Sequence, residues 1–217
     1  MKSPQLQRYA IAGPQNFKNM NRDDALQSMN NIIASGITMF QYRDKGTIWL
    51  NQVDRQEYVQ ALRNTALKYE VPFIINDDVA LAVLVHADGV HVGQKDESID
   101  IVKQQLSDDM ILGLSINNLA EMQQVSDNRI DYLGLGPIYP TQSKSDASEA
   151  IGIDAISEYL GVNKLGLPIV GIGGITLDNM SELKKAGLDG VSVISLLTES
   201  KHPEQMVQEM KEVWEKA

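Results

Sequence analysis

Apolar positions along the chain follow two alternating patterns. Short runs of branched and aromatic residues are separated by longer stretches in which apolar residues recur on one helical face. The clearest short run is Ile169-Val-Gly-Ile-Gly-Gly-Ile175, which reads as a fully buried strand breaking into a turn of bare backbone. Gly190-Val-Ser-Val-Ile-Ser195 repeats the form and ends in a hydroxyl. Upstream, Tyr9-Ala-Ile-Ala12 is closed by the turn signal Gly13-Pro14 and reads as the first strand. From Asp23 to Ala34, residues Ala25, Leu26, Met29, Ile32 and Ile33 share a helical face that Gly36 terminates, and the run from Ile37 to Arg43 supplies a second strand.

The unit recurs. A helix from Gln56 to Glu70 leads through Pro72 to Phe73-Ile-Ile75, and one from Val79 to Val85 leads to a strand from Gly89 to Gly93. Helices from Ser98 to Leu106 and from Leu119 to Val125 precede strands from Met110 to Ser115 and from Tyr132 to Gly136. A helix from Ile153 to Leu160 precedes the Ile169 run, and one from Leu177 to Ala186 precedes Val191 to Ile194. A last helix runs from Glu204 to Trp214. Eight strands thus alternate with eight helices, and the strands are too uniformly apolar to have a wet face. Eight such repeats close a parallel sheet, predicting an α/β fold: a single (β/α)8 TIM barrel over residues 1–217 with its active site at the C-terminal ends of the strands. The alternative, an open doubly wound sheet, lacks its Gly-x-Gly-x-x-Gly signature after strand one.

Charge narrows the partners. With a net charge of −10, nucleic acid and anionic membranes are unfavourable, whereas a small anion remains possible where cations are gathered locally. Cysteine is absent, which excludes disulfides, thiol nucleophiles and Cys-type zinc and fits a reducing cytoplasm, the expected location. The first residues lack an apolar signal region, and no run approaches the roughly 18 apolar residues of a membrane span. A homo-oligomer is compatible with the sequence but not indicated by it.

The strand ends carry the candidate chemistry. Alternation places Gln41, Arg43 and Lys45 on one side of the second strand, so an amide and two cations would face a single volume and bind an anion. Strand three ends in Asn76-Asp77-Asp78. Asp78 suits the cap of the next helix, which leaves Asp77 for other work, and Asp96 follows the fourth strand. Two carboxylates from neighbouring strands, with Arg43 and Lys45 beside them, suit a hard cation such as Mg²⁺ that shares its ligands with phosphate. His91, flanked by valines, reads as a structural barrel histidine, and Ser115, with no base near it in sequence, as a hydrogen-bond donor rather than a nucleophile. The long polar connection from Gly136 to Gly152 contains Thr141, Ser143 and Lys144 and reads as a lid. Gly173-Gly174 and Ser195 form a second, amide-and-hydroxyl anion site.

Taken together, Gln41-x-Arg43-x-Lys45, Asn76-Asp77, Ala87-Asp-Gly-Val-His-x-Gly-Gln-x-Asp96, Gly136-Pro-x-x-Pro-Thr141-x-Ser143-Lys144, Gly171-Ile-Gly-Gly-Ile-Thr and Gly190-Val-x-Val-Ile-Ser195 resemble the thiamine phosphate synthase family. The resemblance implies a transferase that joins 4-amino-2-methyl-5-(diphosphooxymethyl)pyrimidine to 4-methyl-5-(2-phosphooxyethyl)thiazole, releasing pyrophosphate. It implies that Gln41, Tyr42, Arg43, Asp44, Lys45, Asn76, Ser115 and Lys144 hold the pyrimidine diphosphate. Thr141, Gln142, Ser143, Gly174, Ile194 and Ser195 would hold the thiazole phosphate, and Asp77 and Asp96 one Mg²⁺. Arg43, Lys45, Ser115 and Lys144 would assist the chemistry, a dissociative cleavage of the C–O bond to pyrophosphate that calls for no general base. The family's pattern is not matched everywhere: Ser143 stands where threonine is frequent, and Asn117 where many relatives have histidine. Asn117 and the intact Gly-Gln-x-Asp motif disfavour a thiazole tautomerase of the same fold. A catalytically silent phosphate-binding barrel would have no use for Asp77, Asp96, Arg43 and Lys144 together.

Overall fold

In a computed structural model, described for residues 3–45, 49, 51–94, 99–143 and 149–217, eight parallel strands close into a barrel. They are β1 (Arg8–Ala12), β2 (Met39–Tyr42), β3 (Phe73–Asn76), β4 (Gly89–Val92), β5 (Ile111–Ile116), β6 (Tyr132–Leu135), β7 (Ile169–Ile172) and β8 (Gly190–Val193). Each pairs with the next, and β8 returns to β1 with Ser192 opposite Tyr9. Around them lie α1 (Arg22–Ala34), α2 (Gln52–Lys68), α3 (Val79–Leu84), α4 (Ile99–Gln105), α5 (Leu119–Gln124), α6 (Ile156–Val162), α7 (Leu177–Lys185), α8 (Ser195–Thr198) and α9 (Pro203–Lys216). No described helix is long and apolar enough to cross a membrane.

Two apolar clusters explain why the strands are buried on both faces. Ala10, Phe40, Tyr42, Phe73, Ile75, Val90, Leu112, Leu133, Ile169 and Val191 join the helices in the larger one. The residues between them in the strands, among them Tyr9, Ile11, Met39, Ile74, Tyr132 and Val170, form a second cluster inside the barrel. The inner positions towards the strands' C-terminal ends are polar or lack a side chain: Gln41, Arg43, His91, Gly113, Gly134 and Ser192.

The element boundaries depart from the sequence reading where a local cap intervenes. Helix α2 starts at Gln52 rather than Gln56 because the Asn51 side chain accepts the Asp54 N–H at 2.9 Å. Strand β7 stops at Ile172 because Gly173 and Gly174 take φ of +95° and +62°. Helix α8 is an extra turn that the pattern did not show. Its four residues are too few for a period to register.

Candidate active site

The C-terminal ends of the strands surround a cavity of about 640 Å³. A hollow of about 830 Å³ at the opposite end is lined by Arg63, His86, Asp88 and residues that lead into β3, β4 and β5. In this architecture chemistry belongs to the C-terminal end and the other end to stability.

One wall of the cavity is charged. Arg43, only 8 % exposed, and Lys45 extend β2 into the rim, and Gln15 holds their backbone: its Nε2 donates to the Arg43 carbonyl at 2.6 Å. Gly13 permits this approach, since a Cβ there would overlap the Arg43 carbonyl oxygen. Lys45 Nζ donates to an Asp77 carboxylate oxygen at 2.8 Å. Asp77 itself sits at φ +62°, which aspartate tolerates better than most residues, at the turn where Asn76 ends β3. Asp78 caps α3 through a 2.9 Å bond from the Leu81 N–H.

Another part of the lining is rich in hydroxyls and glycine, with Glu149 also bordering the cavity. Ser143 Oγ and Ser195 Oγ are 3.3 Å apart, and the Ser143 N–H donates to Thr141 Oγ1 at 3.2 Å. Gly173, Gly174, Ile194 and Ser195 complete it. The glycines serve the chain's own packing as well as any ligand. The Ile138 and Tyr139 N–H groups bond to the Ile172 and Gly173 carbonyls at 2.8 and 3.1 Å, laying the loop after β6 across the end of β7. A Cβ on Gly174 would come within 2.7 Å of Tyr139 Cβ and the Pro140 carbonyl.

Comparison with known proteins places this arrangement. Residues 8–197 match the family described as thiamine monophosphate synthase. The chain belongs to that family. It is 49% identical over 207 residues to the thiamine-phosphate synthase of Lactococcus lactis, covering 95% of each chain. It is 42% identical over 209 residues to that of Listeria innocua, covering 95% of this chain and 96% of the other. The thiamine phosphate pyrophosphorylase structure from Pyrococcus furiosus superposes with a TM-score of 0.82 at 28% identity, over 99% of this chain and 98% of that one. Members of this synthase family are transferases, and the chain is an enzyme of that class.

Not every residue that the synthase resemblance singled out borders the cavity. Arg43, Lys45, Asn76, Asp77, Ser115, Thr141, Ser143, Gly174, Ile194 and Ser195 do. Gln41 is 1% exposed and lies a layer deeper, its Nε2 donating to the Tyr9 hydroxyl at 2.6 Å, so the expectation that it shares one volume with Arg43 and Lys45 is corrected. Tyr42 points the other way, into the helix-facing core, because strand alternation sends it opposite to Gln41 and Arg43. Asp44 also turns from the cavity. It accepts bonds from Trp49 Nε1 at 2.6 Å and Arg55 Nε at 2.8 Å, and Arg55 Nη1 reaches Asp78 at 2.6 Å. Burial works against the Arg55 charge, but its bonds to Asp78 and Asp44 outweigh that and raise its pKa. Gln142 is exposed and does not line the cavity. Asp96 and Lys144 lie outside the described residues.

The sequence reading missed a polar chain beneath the floor. Ser115 has no base near it in sequence, yet His91 Nε2 stands 2.9 Å from its Oγ across one strand pair. His91 Nδ1 is 2.9 Å from the Tyr132 hydroxyl, which is 2.8 Å from that of Tyr9. Burial pushes both phenols to pKa values well above the ordinary one, so they remain protonated. A further unforeseen group is the Ser192 hydroxyl, which lines the cavity, is 2% exposed and has no hydrogen-bond partner among the described residues. Asn117 and Asn118 complete the rim, each fastened to Glu121, with Asn117 Nδ2 at 3.0 Å and Asn118 Nδ2 at 2.7 Å from its carboxylate.

Proposed function

We propose that the chain condenses 4-amino-2-methyl-5-(diphosphooxymethyl)pyrimidine with 4-methyl-5-(2-phosphooxyethyl)thiazole to give thiamine phosphate and pyrophosphate. The observation that carries this reading is that one cavity is lined both by a charged group, Arg43, Lys45 and Asp77, and by a hydroxyl-and-glycine group, Thr141, Ser143, Gly173, Gly174 and Ser195. The first suits a diphosphate leaving group and the second a phosphate monoester that must be held but not cleaved. A cavity of about 640 Å³ is in the usual range for small-ligand sites.

A divalent cation fits the charged wall by donor chemistry. Asp77 offers a hard carboxylate at the cavity's edge, with 25% of its side chain exposed. Mg²⁺ keeps several waters and takes phosphate oxygens, so it asks for only one or two carboxylates from the chain. Asp77 and Asp96 would hold it, and when bound it would help neutralise the departing pyrophosphate.

The chain's own residues do the rest by placement and charge. Arg43, Lys45 and Lys144 offset the negative charge that grows on pyrophosphate as the C–O bond breaks. Asn76 and Ser115 hydrogen-bond the pyrimidine half, and the electron-rich aminopyrimidine carries the methylene cation that remains. Thr141, Ser143, Gly174 and Ser195 anchor the thiazole phosphate so that the ring nitrogen attacks this methylene. That nitrogen has no proton to lose, so no general base is used, and His91 need not act as one.

Pyrophosphate release on mixing the protein with both half-molecules, with and without Mg²⁺, tests the reading together with the mass of the organic product. Metal-dependent release with thiamine phosphate formed is expected. Binding of the thiazole phosphate without either product would overturn the transferase assignment and favour a silent binder. An isomerised thiazole phosphate would favour a tautomerase.

A further inference from the structure

The buried polar chain under the cavity has a direction, and that direction determines how Ser115 can be used. With the Gln41 amide placed so that Nε2 faces Tyr9 at 2.6 Å, the Tyr9 oxygen accepts from it, and its single proton is then free to turn to Tyr132 at 2.8 Å. Tyr132 then spends its own proton on His91 Nδ1 at 2.9 Å. An imidazole that accepts at Nδ1 carries its hydrogen on Nε2, and Nε2 faces Ser115 Oγ at 2.9 Å. The Ser115 oxygen is thereby an acceptor towards the protein, and its proton is left for whatever occupies the cavity.

We propose that His91 is a positioning residue: Gln41, Tyr9 and Tyr132 lock it as the neutral Nε2–H tautomer, which commits the Ser115 hydroxyl to donate into the cavity. That Ser115 then meets the pyrimidine substrate rests on the function proposed above; the tautomer does not.

The surrounding residues make room for this chain at the expense of side chains. A Cβ on Gly113 would overlap both the Tyr132 ring and His91 Nδ1, and one on Gly134 would come within 3.0 Å of His91 Cε1. Two strands therefore lack side chains where the imidazole lies. Tyr9 and Tyr132 also pack edge to face with centroids 5.9 Å apart, which restrains the phenols that carry the relay. The chain could run the other way only if its far end accepted instead of donating. Glutamate at position 41 has the same shape as glutamine and, when ionised, supplies only acceptors. Tyr9 would then donate to it, each later bond would reverse, and Ser115 would donate to His91 rather than to a ligand.

The ring-nitrogen NMR spectrum of protein labelled with ¹⁵N-histidine tests this directly, since the chain has only three histidines to assign. His91 is expected as Nε2–H in the native protein and as Nδ1–H in Gln41→Glu. Nδ1–H, or a doubly protonated ring, in the native protein would overturn the proposal, and that spectrum decides the direction even if the variant does not fold. A folded Gln41→Glu that keeps Nε2–H would remove Gln41 as the source of the direction. In turnover, Tyr132→Phe should lower kcat/KM for the pyrimidine diphosphate on the order of tenfold, as for one misdirected hydrogen bond, with KM for the thiazole phosphate unchanged. His91→Gln, whose amide can still donate to Ser115, should retain more activity than His91→Leu. Equal losses in these two variants, or losses that fall equally on both half-molecules, would point to a purely structural histidine. Native Nε2–H in a protein that forms no thiamine phosphate would sink the proposed reaction and leave the relay standing.

Discussion

At the scale of single residues, neighbouring side chains of the same type have been given opposite tasks by geometry. Asp77 and Asp78 are adjacent, yet one reaches the cavity and Lys45 while the other caps α3 and meets Arg55. Asp78→Asn should keep the cap and weaken the ion pair, whereas Asp78→Ala should lose both and cost about 1–2 kcal/mol, read from the denaturant midpoint. Asp77→Ala should instead leave the midpoint nearly unchanged and suppress turnover, and a large loss of stability would show that its φ of +62° is what matters. Because the proposed reaction builds charge on the leaving group, Lys144→Ala should slow the single-turnover step on the order of 10²-fold or more. An unchanged rate would remove Lys144 from the diphosphate site. Asp78's role was legible because a cap is a local matter of spacing. The pairing of His91 with Ser115 was not, because the two are 24 positions apart and meet only through strand register.

At the scale of elements, the active wall is steadied from behind. Arg55 projects from α2 and ties Asp44 after β2 to Asp78 after β3, so one helix holds the ends of two strands in fixed relation. Arg55→Ala should lower stability by about 1–2 kcal/mol, less than for a fully buried pair because a quarter of the side chain is in water. It should also raise KM for the pyrimidine diphosphate, although Arg55 does not border the cavity. An unaltered KM would mean that the backbone at Arg43 to Lys45 is held without Arg55. On the other side, Gly174→Ala should weaken thiazole phosphate binding and destabilise the chain together, since φ of +62° and contacts within 2.7 Å of Tyr139 and Pro140 both oppose a side chain. The glycine pair was legible as a turn with an exposed backbone. Its use as the seat of the loop after β6 was not, because that depends on tertiary approach.

For the whole molecule, the alternation of apolar runs was enough to identify the barrel because each strand is buried on both faces and each helix on one. What it could not distinguish was which buried face a residue occupies: Tyr42 and Tyr132 look alike in sequence, but one packs among helices and the other inside the ring. Both phenols, with that of Tyr9, are held at raised pKa chiefly by burial. Since their folded values exceed the unfolded value of about 10, they favour the native state below that pH and cease to do so as pH climbs towards the folded values. Alkaline titration should therefore show part of the phenolate absorbance appearing abruptly, together with loss of near-ultraviolet circular dichroism. A smooth rise while the fold stays intact would place these rings in contact with water.

The join between β1 and β8 sets a further condition, on the order of events as the chain emerges from a ribosome. On one edge β1 pairs early with β2, but on the other Arg8, Tyr9 and Ala10 pair with Val191, Ser192 and Val193, so that edge stays bare until almost the whole polypeptide has been made. The cavity draws on residues from Arg43 to Ser195, and its hydroxyl-and-glycine group is complete only at that same late moment. A growing chain should therefore have no competence for the thiazole phosphate until β8 clears the exit tunnel. Any factor that shields exposed strand edges would find its longest-lived target at the N-terminal strand.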